Sequence, residues 1–429
     1  MTQKDKNYFW DLGLQAIKQL ETEQGILASD RNELYGCVFG RDSLITALKL
    51  LRVYRRTRQA DVLPLVRKIL INLALLQGKE INLESGEQPG KAIHEFRPNH
   101  HEHLTARPVR PWYVYSDQVM RNYDSVDATP LLLITIYRYW QAEQDGMFLN
   151  QVMPAVDAGL EWLEKYSDSN GDGFIDYELS NARQSGGLVT QNWMDSEESV
   201  FHETGGDLVY PLAPVEVQAY AYMAYRLWAR YFVNNDPMRA HKLMDAADKL
   251  KIRFNQSFPA VDPDGNPYLS FKLDGTGRQF RSVRSNMGHV LWASLSAEAD
   301  GSVDTILDQK LIAPVVHRLM MPDMFDPNAG IRTLSSRSLR FEPNSYHNGS
   351  IWPHDNAMIA EGFQIHGFNR EAQEVYSALL CAIEKFQTPI ELFVYDKGNY
   401  TDFNSGSGQR SCRTQAWSAA AILDGSVQV

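Results

Sequence analysis

Two acidic residues have neighbours that suit proton transfer on a sugar, and Asp195 is the first of them. It lies in the polar and aromatic segment 191–196, two positions after Trp193. A tryptophan ring packs against the apolar face of a sugar, while a carboxyl group binds a hydroxyl or moves a proton. The segment also fits a simpler role, in which Asp195 or Ser196 is the N-cap of a helix and Trp193 belongs to the core.

The second acid, Glu391, is a single charged residue in the otherwise apolar and β-prone segment 388–395. Burial without a partner raises the pKa of a carboxyl group, which suits a catalytic acid or base. The alternative is a salt bridge at the rim of the fold.

Further polar residues occur near predicted helix starts. Arg41 and Asp42 follow Gly40, and they suit either a helix cap with an ion pair or a pair of ligands for vicinal hydroxyls. Glu216 and Gln218 lie in the first turn of another helix, on different faces. One of them can therefore point to a site while the other contacts a neighbouring helix.

Two segments contain residue types that bind metals. Segment 345–355 holds His347, His354 and Asp355, but its glycine and proline indicate a turn, so no metal is predicted there. Segment 168–175 begins like a calcium loop, yet Leu179 stands where the loop needs a glutamate. A structural turn is favoured at Asp168–Asp172, with calcium as the alternative; no cofactor is expected.

Composition narrows the class of protein. The chain has 429 residues, of which 44% are hydrophobic, and a net charge of −11. This acidic balance disfavours binding to nucleic acid or anionic membranes. Three widely separated cysteines, no apolar signal core and no apolar run of membrane-spanning length predict a cytoplasmic protein.

The elements that must position these residues are helices. Apolar residues recur at helical spacing in about twelve segments. These are 9–23, 41–56, 60–77, 127–142, 149–166, 214–232, 237–254, 287–297, 303–321, 355–368, 370–386 and 414–423. Residues 78–124 form a long irregular insert rich in glycine, proline, histidine and aromatic residues, and 268–271 are β-like.

Tight turns alternate with long polar and aromatic loops between these helices, which favours six helical hairpins arranged as a toroid. The loops after positions 78, 186, 255, 334 and 386 would then gather around one mouth. Strands do not alternate with the helices, so a doubly wound sheet or a (β/α)8 barrel is disfavoured. The absence of a sequence repeat disfavours a regular solenoid.

In order along the chain, several segments resemble the amylo-α-1,6-glucosidase family, the glucosidase part of glycogen-debranching enzymes and its bacterial relatives. The tyrosine-to-alanine segment within 345–357 is the longest and most specific of them. The matching segments are 39–44, 125–131, 191–196, 214–218, 330–335, 345–357, 391–393 and 415–419. Departures from the family pattern are Met194, where a lysine is usual, and Met287, where a proline is common.

The resemblance implies an all-α, (α/α)6 barrel in a single domain over residues 1–429 and hydrolysis of an α-glucoside with inversion. It makes Asp195 the general acid and Glu391 the general base. Its implied substrate-binding residues are Arg41, Asp42, Asp127, Trp193, Glu216, Gln218, His347, Asn348, Trp352, Gln415 and Trp417. Similar short hydrolases act on small glycosides such as glucosylglycerate or mannosylglycerate, so a small glycoside is the alternative substrate.

An inverting glycosidase needs two carboxyl groups roughly 6.5–9.5 Å apart, so that a water fits between the base and the sugar. Asp195 and Glu391 are far apart in the chain, and only a closed fold brings them together. Rival acids are Glu197, Glu198 and Glu203, and rival bases are Glu342 and Asp396.

Two other kinds of protein remain open. A sugar epimerase or isomerase on the same barrel would use His347 and His354 as proton carriers. A non-catalytic sugar-binding protein would keep Trp193 and Trp352 and need neither carboxyl group.

Overall fold

The computed structural model describes residues 2–295 and 302–429, and this part of the chain is mostly helical. The helices are α1 (Gln3–Leu20), α2 (Gly40–Thr57), α3 (Leu63–Leu75), α4 (Glu102–Thr105), α5 (Ala128–Glu143), α6 (Gly146–Lys165), α7 (Val215–Phe232), α8 (Pro237–Ser257), α9 (Asn286–Trp292), α10 (Gln309–Leu319), α11 (Pro353–Ile365), α12 (Asn369–Phe386) and α13 (Ala416–Ser426). Short 3₁₀ helices cover Ala60–Val62 and Glu197–Ser199.

The strands are short and form small antiparallel sheets. They are β1 (Glu21–Thr22), β2 (Gly25–Ile26), β3 (Val38–Phe39), β4 (Glu95–Arg97), β5 (Met120–Asn122), β6 (Ala213–Pro214), β7 (Pro259–Val261), β8 (Pro267–Leu269), β9 (Lys272–Leu273), β10 (Ser294–Leu295), β11 (Asp304–Thr305), β12 (Phe325–Asp326), β13 (Gly330–Ile331), β14 (Phe393–Asp396) and β15 (Asn399–Asp402). Strands β3, β4 and β5 form one sheet in that order, which fixes the middle and the end of the long insert beside the start of α2.

Six helices contact one another in a closed sequence. Helix α2 packs on α5, α5 on α7, α7 on α9, α9 on α11, α11 on α13, and α13 again on α2. The remaining long helices each pack mainly on one of these six, in the pairs α1–α13, α2–α3, α5–α6, α7–α8, α9–α10 and α11–α12.

Burial separates the two sets of helices. Helices α5, α7, α9, α11 and α13 are buried on every side along most of their length, and α2 is buried from Gly40 to Leu51. Helices α1, α8 and α12 bury a single stripe and expose the opposite face, as amphipathic surface helices do. Close contact at α9–α11 depends on glycine, because a Cβ at Gly288 would meet Ile359 at 2.5 Å.

The helical predictions hold for most of the chain, and two of them are wrong in extent. The predicted helix 287–297 ends at Trp292, because Ser294 and Leu295 pair with Thr305 and Asp304. Because of the same pairing, the helix predicted for 303–321 begins only at Gln309. Positions 296 and 297 of the first prediction lie outside the described residues.

Within residues 2–295 and 302–429, no helix is both long and apolar enough to span a membrane. Cys37, Cys381 and Cys412 carry free thiols.

Candidate active site

Three of the buried helices, α2, α11 and α13, begin at one narrow pocket. Arg41 and Asp42 belong to the first turn of α2, while Trp352 and Gln415 immediately precede α11 and α13. The pocket has a volume of about 50 Å³. Its lining consists of Tyr35, Phe39, Arg41, Asp42, His94, Trp193, Asp195, Tyr346, His347, Trp352, Glu391, Gln415 and Trp417.

Asp195 reaches the pocket from the loop between α6 and α7. Its Oδ2 accepts a hydrogen bond from Arg41 Nη1 at 3.0 Å, and its side chain is 24% exposed. Burial raises the pKa of Asp195 to about 6, and the Arg41 guanidinium opposes that rise. The alternative role holds for Ser196, which is the N-cap of the short helix Glu197–Ser199, although its side chain makes no capping bond. It does not hold for Asp195.

Asp127 binds the same Arg41 guanidinium that contacts Asp195. Arg41 Nε donates to Asp127 Oδ2 at 2.7 Å, and Ser125 Oγ donates to the other oxygen, Oδ1, at 2.6 Å. Asp127 is fully buried immediately before α5. The guanidinium therefore joins the first turn of α2, the start of α5 and the loop of Asp195 in one charged chain.

Glu391 reaches the pocket from the segment before β14. Tyr346 Oη donates to its Oε1, and the backbone N–H of Cys412 donates to its Oε2 at 2.8 Å. The backbones of Ile351 and Phe393 form an isolated antiparallel β-bridge. This bridge fixes the Glu391 segment beside the loop that carries Tyr346. The side chain is 1% exposed, and this burial raises the pKa of Glu391 to about 8 against the effect of both donors.

The two carboxyl groups therefore differ in both burial and pKa. Glu391 is the more buried and holds its proton to higher pH than Asp195. Between pH 6 and pH 8 the pair carries one proton in the free protein. Burial also raises the pKa of a third carboxyl group in the pocket, Asp42, to about 7, with Arg41 opposing the rise.

Asp42 and Gln415 form the polar side of the pocket. Gln415 Nε2 donates to Asp42 Oδ1 at 3.1 Å, while Gln415 Oε1 has no hydrogen-bond partner among the described residues. The same holds for Arg41 Nη2, His347 Nε2 and Trp417 Nε1. These atoms are the donors and acceptors that a ligand rich in hydroxyl groups requires.

Aromatic rings form the opposite side. Trp193 packs edge-on against Trp352, with centroids 5.9 Å apart, and His347 stacks on Trp352 at 5.1 Å. Trp193 is only 2% exposed, so it serves both the core and the pocket wall. Burial lowers the pKa of His347 well below its usual range, and Ser196 Oγ lies 2.8 Å from its Nδ1.

Four residues of the predicted substrate-binding set do not line this pocket in the part of the chain that the structure describes: Asp127, Glu216, Gln218 and Asn348. Glu216 Oε1 accepts from Asn192 at 2.7 Å, and Asn348 Oδ1 accepts from Arg284 at 2.8 Å. Gln218 donates to the carbonyls of Ile175 and Pro214 and accepts from the Ile175 N–H. Through these bonds they brace the surrounding loops.

The pocket includes four residues that the sequence argument did not select: Tyr35, Phe39, His94 and Tyr346. Phe39 and Tyr346 lie inside segments that carry the family resemblance, so their proximity to Arg41 and His347 could have indicated them. Tyr35 and His94 offer no such signal. None of the rival acids or bases, Glu197, Glu198, Glu203, Glu342 and Asp396, belongs to the described lining.

His354 does not pair with His347 in the pocket. Its ring is fully buried and stacks on Trp417 with centroids 3.6 Å apart, beneath the residues that form the lining. The two histidines therefore do not face one sugar as paired proton carriers.

No cluster of three or more metal-binding side chains exists within the described residues. In the calcium-like segment, Asp168 accepts from the N–H groups of Gly171 and Gly173, and Asp172 accepts from that of Phe174. Through these hydrogen bonds the carboxylates stabilise the turn.

The profile of the amylo-α-1,6-glucosidase family matches residues 111–424, which is most of the chain. The chain belongs to the amylo-α-1,6-glucosidase family. This membership makes it a glycoside hydrolase homologue with a carbohydrate as its substrate class. A comparison with curated protein sequences gave no match.

Solved structures share the fold of this family member at low sequence identity. A mannosylglycerate hydrolase of glycoside hydrolase family 63 from Thermus thermophilus is 14% identical, with a TM-score of 0.64 over 97% of this chain and 99% of that one. A glycosidase variant solved in complex with glucose is 10% identical, with a TM-score of 0.62 over 100% of this chain and 98% of that one.

Proposed function

We propose that this protein hydrolyses an α-glucosidic bond with inversion, with Asp195 as the general acid and Glu391 as the general base. The observation that carries the proposal is that these two carboxyl groups, distant in the sequence, line the same pocket. Inverting hydrolysis needs this arrangement, because one carboxyl group protonates the leaving oxygen while the other activates a water.

The scaffold we propose is a single (α/α)6 barrel. The closed sequence of contacts through α2, α5, α7, α9, α11 and α13 supports an inner ring of six helices. The partners α1, α3, α6, α8, α10 and α12 form the outer ring, each packed mainly on one inner helix. The helix starts that converge on the pocket then belong to the inner ring.

The hydrogen bonds of the two carboxyl groups support their roles. Both oxygens of Glu391 accept from protein donors, Tyr346 and Cys412, which stabilises the ionised form that a base requires. Asp195 uses Oδ2 to accept from Arg41, and its partly exposed carboxyl group leaves Oδ1 to carry a proton to the glycosidic oxygen. Trp193 and the pocket wall keep bulk water away from this transfer.

The pKa order gives this mechanism a specific pH dependence. The reactive state has a proton on Asp195 and none on Glu391, whereas in the free protein the more buried Glu391 holds the proton more tightly. The reactive state is therefore the less populated of the two single-proton states. Activity still peaks between about pH 6 and pH 8, where the pair carries one proton.

The sugar ring is held between the two sides of the pocket. Asp42 accepts hydrogen bonds from hydroxyl groups of the sugar, and Gln415 fixes the position of the Asp42 carboxyl group. Arg41 completes the polar contacts of this side of the pocket. Trp352 and Trp417 pack against the apolar face of the ring. Asp127, Glu216, Gln218 and Asn348 act through the residues that they brace.

A small α-glycoside is the second candidate substrate. The narrowness of the pocket favours a single sugar ring with a small leaving group, and one structural neighbour is a mannosylglycerate hydrolase. Glucosylglycerate and mannosylglycerate therefore belong in the same assay as isomaltose, trehalose and α-1,6-branched glucan.

The test is to incubate the protein with these α-glucosides and α-mannosides and to follow the released sugar by proton NMR from the first turnover. The proposal expects the β-anomer to form first from an α-glucoside, before mutarotation. Initial release of the α-anomer contradicts inversion, and a changed sugar without bond cleavage would indicate an epimerase. Sugar binding without any turnover would indicate a non-catalytic protein.

A further inference from the structure

A second pocket shares no lining residue with the catalytic one. It is formed by the insert between α3 and α5 and the loop between α6 and α7. Its volume of about 240 Å³ exceeds the 50 Å³ of the catalytic pocket. The charged side chains of its lining are Glu87, Lys91, Asp124, Asp176, Glu178 and Arg183.

Lys91 is the unusual group in this second pocket. Its side chain is 6% exposed, and its ammonium makes one hydrogen bond, to the carbonyl of Gly86 at 3.3 Å. No carboxylate lies within 4 Å of it in residues 2–295 and 302–429. An ammonium has three N–H donors, so a buried one with a single long bond has donors left for a ligand.

The neighbouring carboxylates are already engaged. Asp124 accepts from Arg183 at 2.7 Å, from Asn122 at 2.8 Å and from the Leu188 N–H at 3.0 Å. Glu87 accepts from the Lys79 N–H at 2.7 Å and from Tyr115 Oη at 2.5 Å. The remaining donors of Lys91 are therefore available to acceptors of a molecule that enters the pocket.

The charges of the lining favour a neutral ligand over an anion. Four carboxyl groups, Glu87, Asp124, Asp176 and Glu178, face two cations, Lys91 and Arg183. A polyhydroxy ligand avoids repulsion, because each hydroxyl both accepts from an ammonium and donates to a carboxylate. The half-buried ring of Tyr166 adds an apolar surface of the kind that packs against a sugar.

We propose that this second pocket is a carbohydrate-binding site separate from the catalytic pocket, with Lys91 donating to a sugar hydroxyl oxygen. The inference rests on the proposed function, because it takes its ligand class from an enzyme that acts on a saccharide. The site would retain a longer or product saccharide next to the catalytic pocket.

The two pockets are joined by a short stretch of chain. Asp124 lines the second pocket, and three positions later Asp127 holds Arg41, which binds Asp195. The backbone of Val126 between them donates to the carbonyl of Gln191, in the loop that leads to Asp195. The second pocket and the support of Asp195 therefore share the short segment 124–127.

The test measures how many molecules of D-glucose bind to the intact protein by isothermal titration calorimetry. Wild type is expected to bind two per chain. Lys91→Met, which removes the donors but keeps the length of the side chain, is expected to weaken one site about tenfold or more. Ser180→Trp fills the same pocket from its rim and is expected to abolish the same site while leaving Lys91 in place.

Asp42→Asn is the matched control, since it alters the catalytic pocket and is expected to weaken the other site alone. One glucose site that only Asp42→Asn weakens overturns the inference and leaves the proposed function standing. One site that only the Lys91 and Ser180 variants weaken supports the inference and contradicts the proposed sugar pocket. Binding of inorganic phosphate, but not glucose, at Lys91 overturns the carbohydrate assignment in favour of an anion site.

Discussion

Arg41 Nη1 donates to Asp195 Oδ2 at 3.0 Å, across 154 positions of the chain. The same guanidinium is bound at its Nε by Asp127, which is fully buried. One cation thus fixes the position of the proposed catalytic acid, and its charge keeps the pKa of that acid from rising further with burial.

Replacing Arg41 by methionine is expected to raise the pKa of Asp195, because the opposing cation is gone. The acid limb of the kcat/KM profile, near pH 6 in wild type, then moves to higher pH. The same change leaves Asp127 buried without its cation, which costs about 3–5 kcal/mol of stability. The pH profile and thermal unfolding measure the two effects.

Arg41→Lys is the control for charge. It keeps the cation, so the acid limb should stay close to that of wild type even if turnover falls with the loss of the two-sided guanidinium contact. An acid limb that is the same in Arg41→Met as in wild type contradicts the assigned role of Arg41.

Glu391 is expected to destabilise the folded protein as pH rises. Its pKa is raised from 4.5 to about 8, so the folded state keeps a proton that the unfolded state releases. Below pH 4.5 Glu391 is protonated in both the folded and the unfolded state, so it causes no loss of stability. Between pH 4.5 and pH 8 the stability falls, by up to about 1.4 kcal/mol per pH unit.

Glu391→Gln removes this loss, because glutamine stays neutral and can accept from the Cys412 N–H while donating to Tyr346 Oη. The melting temperature of the variant should match that of wild type near pH 4.5 and exceed it increasingly toward pH 8. A difference in melting temperature that does not change with pH would show that the burial of Glu391 is not the cause.

Gln218→Leu distinguishes a bracing role from direct sugar binding. Gln218 makes three hydrogen bonds to Ile175 and Pro214, so its loss is expected to cost roughly 2–3 kcal/mol of stability. KM for the α-glucoside should stay within about twofold of wild type, because Gln218 does not line the pocket. A lost sugar contact worth ~1.4 kcal/mol would instead raise KM about tenfold. A large rise in KM without a loss of stability would instead support the sugar contact predicted from sequence.

The sequence predicted the helices well because their apolar spacing survives in any tertiary context. It did not predict which helices lie inside. The stripe of Leu44, Ala47, Leu48 and Leu51 describes an amphipathic helix, yet α2 also buries Lys49 completely, against Glu361 and Asp424. A charged residue that is neutralised by partners from α11 and α13 cannot be recognised from its own segment.

The lining of the pocket was predicted where residue type and family pattern agreed, as for Arg41, Trp193, Trp352 and Gln415. The place of Gln218 was harder to predict, because the rotation of α7 decides whether its side chain enters the pocket or contacts a neighbouring loop. Tyr35 and His94 come from irregular segments, whose course is set by pairing with distant strands and carries no local periodicity.

The central claim is tested most directly by Asp195→Asn and Glu391→Gln, assayed on an alkyl α-glucoside that the wild type hydrolyses and on α-glucosyl fluoride. Both variants should remain folded and lose roughly 10²–10⁴-fold in kcat on the alkyl glucoside. Fluoride leaves without a proton, so Asp195→Asn should retain most of its activity on the fluoride, whereas Glu391→Gln should not. Near-normal turnover of the alkyl glucoside by either variant contradicts the assignment of that residue, and the reverse pattern on the fluoride would exchange the two roles.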